Sequence, residues 1–218
     1  MGVAANFIER VKTVFGNDTP KVILDVGSRD LEESIELQTA FPNAKIIAFE
    51  PNPEQFRICL EKSNGYPNIT VCEYACSDTE GETDFYVVNI NHGASSILEP
   101  IRIAGGWAEN YQDHTWRKIS GIQMRRLDTI LPELGIEQVD VVWMDVQGNE
   151  LRALKGLGDY INGVRMMHTE AAGKPYYKGH IVRDELESWI IQQGFETEFL
   201  IEKMAGDYDE SDLVCIRK

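Results

Sequence analysis

Short apolar runs that stop at an acid recur along this chain. The first is Val22-Ile23-Leu24-Asp25-Val26, closed by Gly27, and the second is Ile46-Ile47-Ala48-Phe49, closed by Glu50. Runs of this length, rich in β-branched residues and bounded by turn formers, read as strands buried on both faces. Between them, Leu31 to Phe41 has helical spacing, with Leu31 and Ile35 on one face and Leu37 and Ala40 near it. The result is a βαβ unit that brings Gly27 and Glu50 to neighbouring strand ends, where open α/β sheets bind ligands. Upstream, about 5–15, an amphipathic helix with Phe7, Ile8, Val11, Val14 and Phe15 on its apolar side is predicted to cap the sheet.

The same grammar continues. Pro51-Asn52-Pro53 stops the second strand and opens a helix, where proline at a first turn is tolerated because its missing N–H would be unpaired there. Ile69 to Ala75 is a third strand, with Ser77 and Asp78 just beyond it. Thr83 to Asn89 reads as a strand leaving a turn at Thr79–Glu82, and it is expected to add a hairpin to the sheet. About 83–126 forms an insert or lid. It contains Gly93-Ala94-Ser95-Ser96, the aromatics Trp107, Tyr111 and Trp116 and also His114, and a strand over Ile119 to Arg126. A helix over Leu127 to Leu134 follows. Val139 to Val146 is a clear strand ending at Asp145, followed by a helix from Leu151, and Val164 to Thr169 is another strand, ending at Glu170. A helix over Ile181 to Gln193 precedes two closing strands, Phe195 to Lys203 and Leu213 to Arg217. The turn between those two is short enough to make them antiparallel. The fold class is therefore α/β, Rossmann-like, with 1–218 as a single domain.

Composition narrows the partners. The 218 residues carry a formal charge of −15, so a polyanion such as DNA or RNA would be repelled over most of the surface. The basic cluster Trp116-Arg117-Lys118 with Arg125-Arg126 is short and reads as a solvated edge. No apolar run is long enough to cross a bilayer, and no basic region followed by an apolar stretch marks a signal peptide. Cys59, Cys72, Cys76 and Cys215 are scattered without a CxxC pair, which fits buried free thiols in a reducing cytoplasm better than a zinc site.

The predicted sheet edge carries Asp25, Glu50, Asp78, Asp145 and Glu170, all acidic. Any one of them alone is equally well a helix cap. Together they describe a site for a cation-bearing ligand. A dinucleotide pyrophosphate needs a glycine-rich turn and a helix start free of negative charge. Here the turn has only Gly27 before Ser28, Arg29 and Asp30, and Glu32 and Glu33 crowd the helix start. S-adenosylmethionine has no phosphate and carries a sulfonium and an ammonium. An acid after the second strand can accept both of its ribose hydroxyls.

Asp25-Val26-Gly27, Phe49-Glu50-Pro51-Asn52-Pro53, Ala75-Cys76-Ser77-Asp78, Gly93-Ala94-Ser95-Ser96 and Asp145-Val146-Gln147-Gly148-Asn149-Glu150 resemble the FkbM family of S-adenosylmethionine-dependent methyltransferases. His168-Thr169-Glu170 and Asp212-Leu213-Val214-Cys215 resemble it too. The resemblance implies a class I methyltransferase fold, a mostly parallel seven-stranded sheet with an antiparallel strand in its C-terminal hairpin. It also implies O-methylation of a hydroxyl on a sugar or small metabolite. Carried over by position, Asp25 and Gly27, with Ser28 beside them, line the methionine part. Glu50, followed by Pro51, takes the ribose, Ser77 and Asp78 the adenine, and Asp145 lies near the transferred methyl. The family's usual second glycine in the first loop is replaced here by Asp30 and Leu31.

Methyl transfer to a hydroxyl needs a proton acceptor within hydrogen-bond reach. Asp145, Glu170 and His92 are the candidates; His168 reads as a core histidine, and His180, near Tyr176 and Tyr177, as part of an acceptor pocket. An Asp145–Glu170 pair would also suit a divalent metal, but no spacing demands one, and none is assigned. Two other readings stand beside the methyltransferase: an NAD-dependent oxidoreductase, which also uses a strand-end acid, and a non-catalytic binding protein on the same fold. The expected partner is a small-molecule or glycan acceptor, with no nucleic acid and no membrane. The sequence sets neither the acceptor nor the oligomeric state.

Overall fold

The computed structural model describes residues 2–88, 92–101, 116–205 and 208–218, with the backbone alone at 201–205 and 208. In chain order its elements are α1 (Val3–Phe15), β1 (Val22–Val26), α2 (Glu32–Ala40), β2 (Lys45–Phe49), α3 (Pro53–Ser63), β3 (Ile69–Cys72), β4 (Ala75–Cys76) and β5 (Gly81–Val88). After a 3₁₀ turn at His92–Ala94 come β6 (Trp116–Arg125), α4 (Leu127–Glu133), β7 (Val141–Met144) and α5 (Glu150–Lys155). A second 3₁₀ segment (Gly158–Gly163) leads to β8 (Met166–Ala172), α6 (Arg183–Gln192), β9 (Phe195–Ala205) and β10 (Tyr208–Arg217).

Seven strands form the main sheet in the order β3-β2-β1-β7-β8-β10-β9. All neighbours pair in parallel except β10, which runs antiparallel to both β8 and β9. This is the mostly parallel sheet with an antiparallel C-terminal strand expected from the sequence. Side chains alternate across a strand, and that alternation divides the apolar runs between two layers. Ile23, Ile46, Val141, Trp143 and Val214 pack with α1 and α2 through Phe7, Val11, Phe15 and Leu37. Leu24, Ile47, Val142, Met144 and Leu213 pack on the other side with Leu127, Ile130, Leu151, Leu154, Leu186 and Ile190 from α4, α5 and α6. The strands β1 and β7 are neighbours, yet the chain winds outward from them in opposite directions. That is the switch point at which open sheets leave a crevice beyond their carboxyl ends.

Four expectations are corrected. The third strand does not run on to Ala75: its partner β2 ends at Phe49, opposite Cys72, so beyond that point no main-sheet neighbour remains. The chain breaks at Glu73–Tyr74, and Ala75–Cys76 pairs with β6 instead. The hairpin expected to join the main sheet forms its own three-stranded sheet, β4-β6-β5, over a small core of Ala75, Phe85, Val87 and Ile122. Its strand β6 begins at Trp116 rather than at Ile119. Finally, β8 does not stop before Glu170 but runs to Ala172, because β10 continues to pair with it, Asp212 opposite Glu170. Of the expected lid, Trp107, Tyr111 and His114 lie outside the described residues.

Candidate active site

Two tight turns build the floor of the site. After β1, the N–H groups of Gly27 and Ser28 both donate to the Phe49 carbonyl at the end of β2, each at 3.0 Å. Gly27 has a φ of 95°, and a Cβ there would lie 1.9 Å from the Asp145 carbonyl oxygen. Only glycine lets the β1 turn lie against β7. The conformations that a second glycine would ordinarily take are adopted by Arg29 (φ 48°) and Leu31 (φ 71°). Leu31 is fully buried, and that apolar burial holds it in the left-handed region.

Glu50 sits at the end of β2, 5% exposed. Its Oε2 accepts the Arg29 N–H at 2.8 Å and its Oε1 accepts the Asn52 N–H at 2.7 Å, so the carboxyl is fixed by the two turns that flank it. Burial pushes its pKa up to about 8. Asn52 caps α3 by accepting the Glu54 N–H at 3.1 Å. The acids at the start of α2 are met by cations: Arg29 bonds Asp30 at 3.1 Å and approaches Glu32 and Glu33, and Lys62 reaches Asp30 at 3.1 Å.

The second turn follows β7. Glu150, at the start of α5, folds back so that its Oε1 accepts the N–H of Gly148 at 3.0 Å and of Val146 at 3.3 Å. Burial pushes this carboxyl up to about 7. The turn is thereby held with Gln147 at a φ of 53° and Gly148 at 94°. His180 and Tyr177 cover Gly148 so closely that a Cβ would lie 3.0–3.1 Å from them. His180 Nδ1 accepts the Tyr176 N–H at 3.2 Å, and burial pulls its pKa down to about 4.

Between the two turns and the small sheet lies a cleft of about 820 Å³, counting the solvent at its mouth. Gly27, Glu50, Pro51 and Asp145 line the main-sheet side, while Tyr74, Ala75, Cys76, Phe85, His92 and Ile97 line the facing wall. Five of the anticipated residues thus meet here: Gly27, Glu50, Pro51, Asp145 and His92. The others do not line it. Asp25 is fully buried behind the first turn, bonded to Ser34 Oγ, and burial pushes its pKa up to about 7. Ser28 is also fully buried, its hydroxyl donating to the Asp25 carbonyl at 3.0 Å. Ser77 and Asp78 follow the small sheet; the Ser77 N–H donates to the Arg125 carbonyl, and the Asp78 carbonyl accepts from Arg126. Glu170 stands behind Asp145 and reaches it through Gln147. His168 is a core residue, 2% exposed, hydrogen-bonded to Asp212 at 3.0 Å and stacked on Trp143 at 3.8 Å.

Sequence reasoning passed over Arg29, Asn52, Asn149 and Trp143, which line the cleft, and Gln147, which joins the two carboxylates. Four of these lie inside or beside the quoted motifs. Their signal was position within a motif, but their residue types are not those usually scanned for chemistry.

The family model described as the methyltransferase FkbM domain matches residues 25–197. The chain belongs to the FkbM methyltransferase family. Among similar proteins, the 2-O-methyltransferase NoeI of Sinorhizobium fredii is 30% identical over 165 residues, spanning 73% of this chain and 67% of NoeI. The hexuronic acid methyltransferase AglP of Haloferax volcanii is 28% identical over 153 residues, spanning 68% of this chain and only 55% of AglP. The N-terminal domain of EvdMO1, solved in the presence of S-adenosylhomocysteine (SAH) and D-fucose, superposes with a TM-score of 0.57 at 12% identity, covering 100% of this chain and 84% of that one. At that identity the likeness establishes the class I methyltransferase fold. The family read from the motifs is the one found.

Proposed function

We propose that this FkbM chain, taken as one methyltransferase domain, transfers a methyl group from S-adenosylmethionine to a hydroxyl of a sugar or small sugar-like metabolite. The observation that carries this reading is the Glu50 carboxyl, fixed by two backbone N–H groups at the floor of the cleft. Each of its oxygens has a further lone pair for a ribose hydroxyl, and held this way it needs no reorganisation to accept one. The fit extends to charge: Glu33 and Asp145 also line the cleft, which suits a cationic ligand. Asp30, Glu32 and Glu33 stand at the start of α2, where a dinucleotide would bring its pyrophosphate. The oxidoreductase reading therefore has no support from the site.

Glu50, with Pro51 beside it, would hold the ribose, and Gly27 would let the methionine part lie against the first turn, with Asp25 and Ser28 bracing that turn from behind. Tyr74, Ala75, Cys76, Phe85 and Ile97 give the adenine an apolar berth, with Ser77 and Asp78 following Cys76 in the chain. Bound there, S-adenosylmethionine supplies an electrophilic methyl group. Asp145 would take the proton of the acceptor hydroxyl as the methyl–oxygen bond forms and the methyl–sulfur bond breaks, with Glu170 supporting it and His92 facing it from the opposite wall as a second proton acceptor.

The names of NoeI and AglP support a sugar hydroxyl as acceptor. The basic cluster is neutralised by acids: Arg117 meets Glu54, Lys118 meets Asp84, Arg125 meets Glu80 and Glu133, and Arg126 meets Asp128. That weighs against a nucleic-acid acceptor. Among the described residues no helix is long and apolar enough to cross a membrane. The four free, buried thiols accord with the cytoplasm.

Calorimetry with SAH on the wild type and on Glu50→Gln tests the cofactor. One lost hydrogen bond to a ribose hydroxyl, with a buried polar group left unpaired, is expected to weaken binding about 10- to 100-fold, and unchanged affinity would remove Glu50 from the ribose role. Tritiated methyl transfer to a panel of sugars and glycans tests the acceptor, and label appearing only on amines would overturn O-methylation.

A further inference from the structure

We infer that Gln147 is a positioning residue whose side-chain amide sets Asp145 and Glu170 as a matched, ionised carboxylate pair facing the acceptor. The inference rests on the reading of Asp145 as proton acceptor. Gln147 Nε2 donates to Asp145 Oδ1 at 2.7 Å and to Glu170 Oε2 at 2.6 Å. Its two N–H bonds are thus directed at two carboxylates that belong to different strands. The amide cannot be turned over, because its oxygen would then face both carboxylates. In the observed orientation that oxygen, at 2.9 Å, shares the single Tyr177 hydroxyl proton with the Ala94 carbonyl, at 2.8 Å. The backbone is held as well: the Gln147 carbonyl accepts from Ser96 Oγ at 2.8 Å, and Ser96 in turn accepts the Leu98 N–H at 3.0 Å.

Three separate segments therefore converge on one residue: β8 and the strap carrying Tyr177 meet its side chain, and the loop that walls the cleft holds its backbone carbonyl. A residue with a side chain is held at a φ of 53° to make this possible. The chemistry explains the choice of an amide. Two carboxylates this close repel, and without a donor between them one of them retains its proton. A lysine or arginine would form an ion pair and weaken Asp145 as a base. A neutral amide donates to one oxygen of each carboxyl without forming an ion pair with either.

The surroundings sharpen the requirement. Glu150 on α5 and Glu210 on β10 add negative charge around Tyr177, together with Asp145 and Glu170. His92 faces the cleft from the wall loop, and Arg152 is turned away to the Gly179 carbonyl beside His180. Among these groups Gln147 is the one that donates to both carboxylates.

The test is a carboxyl titration by ¹³C NMR on the full chain labelled at Asp and Glu, for wild type and Gln147→Met, with SAH calorimetry alongside. Methionine keeps the volume and removes both donors. The expected result is that one of the Asp145 and Glu170 carboxyls titrates about one pH unit higher in Gln147→Met, while SAH affinity stays within about twofold of wild type. Superimposable titrations in a variant that melts cooperatively would overturn the inference, because a merely structural role changes the melting temperature without moving these carboxyls. If Gln147→Met does not fold, Tyr177→Phe removes the hydroxyl that orients the amide. A smaller upward shift in the same pair supports the inference, and an unmoved pair overturns it. Failure of the wild type to bind SAH would instead refute the cofactor reading and leave the titration result standing.

Discussion

Glu50→Gln separates a buried carboxyl that binds a proton from one that only makes hydrogen bonds. Burial pushes the Glu50 pKa from its ordinary 4.5 to about 8, against the lowering effect of the two N–H groups it accepts. The folded state therefore holds this proton more tightly than the unfolded chain does. The stability it contributes is complete below pH 4.5 and is lost as pH rises through about 8. At about 1.4 kcal/mol per pKa unit the loss is bounded near 5 kcal/mol, and water entering the cleft cuts it to roughly 2–3 kcal/mol. Glutamine has no such proton to lose. Its NH₂ group, however, must face either the Arg29 or the Asn52 N–H, which leaves a donor unpaired at a cost of about 1–3 kcal/mol. In the cofactor-free protein, Glu50→Gln is then expected to be less stable than wild type at pH 5 by that amount. The gap should close or reverse at pH 8.5. Glu150, pushed up to about 7 by burial, titrates in both proteins and cancels in the difference, whereas Asp25, also pushed up to about 7, repels the Glu50 charge and titrates together with it in the wild type. Urea unfolding at pH 5, 7 and 8.5 measures this. A stability gap that does not change with pH refutes the reasoning.

Three further substitutions test the frame around the site. Gly27→Ala would drive a Cβ into the Asp145 carbonyl and strain a φ of 95°, so a loss of at least about 3 kcal/mol in chemical denaturation is expected; near-wild-type stability would contradict the close packing of the two turns. Leu31→Gly relieves a left-handed leucine, worth about 1 kcal/mol, but empties a fully buried position worth about 2–3 kcal/mol. Its melting temperature should fall, and a rise would mean that backbone strain outweighs burial there. Asp212→Ala removes a buried hydrogen-bond partner of His168 and should cost about 1–3 kcal/mol with SAH affinity unchanged. A weakened affinity at full stability would give this pair a role in the site that its position does not provide.

Much of the site could be read in advance because its parts are local. Gly27, Glu50 and Asp145 each terminate a strand whose apolar run is unmistakable, so placing the strands placed these residues. The turn Val146–Glu150 is likewise closed within itself, Glu150 returning to Val146 and Gly148. Asp25 and Glu170 were less legible, because each lies within its strand and only the packing of the neighbouring layer decides which way it faces. Ser77 and Asp78 depended on the partner chosen by Ala75–Cys76, and that partner, β6, lies some 50 residues further on.

The sequence by itself determined the strands, the order in which they occur, the antiparallel closing pair and the acids at two adjacent turns. Apolar periodicity and turn residues act over a few positions and need no distant partner. The tertiary structure alone decided that the hairpin after β4 would leave the main sheet and become the opposite wall of the cleft. It also brought Glu170, Tyr177 and Ser96 from three segments onto Gln147, the first two at its side-chain amide and Ser96 at its backbone carbonyl. Those contacts depend on loop closure between distant segments, and no local pattern in the chain encodes them.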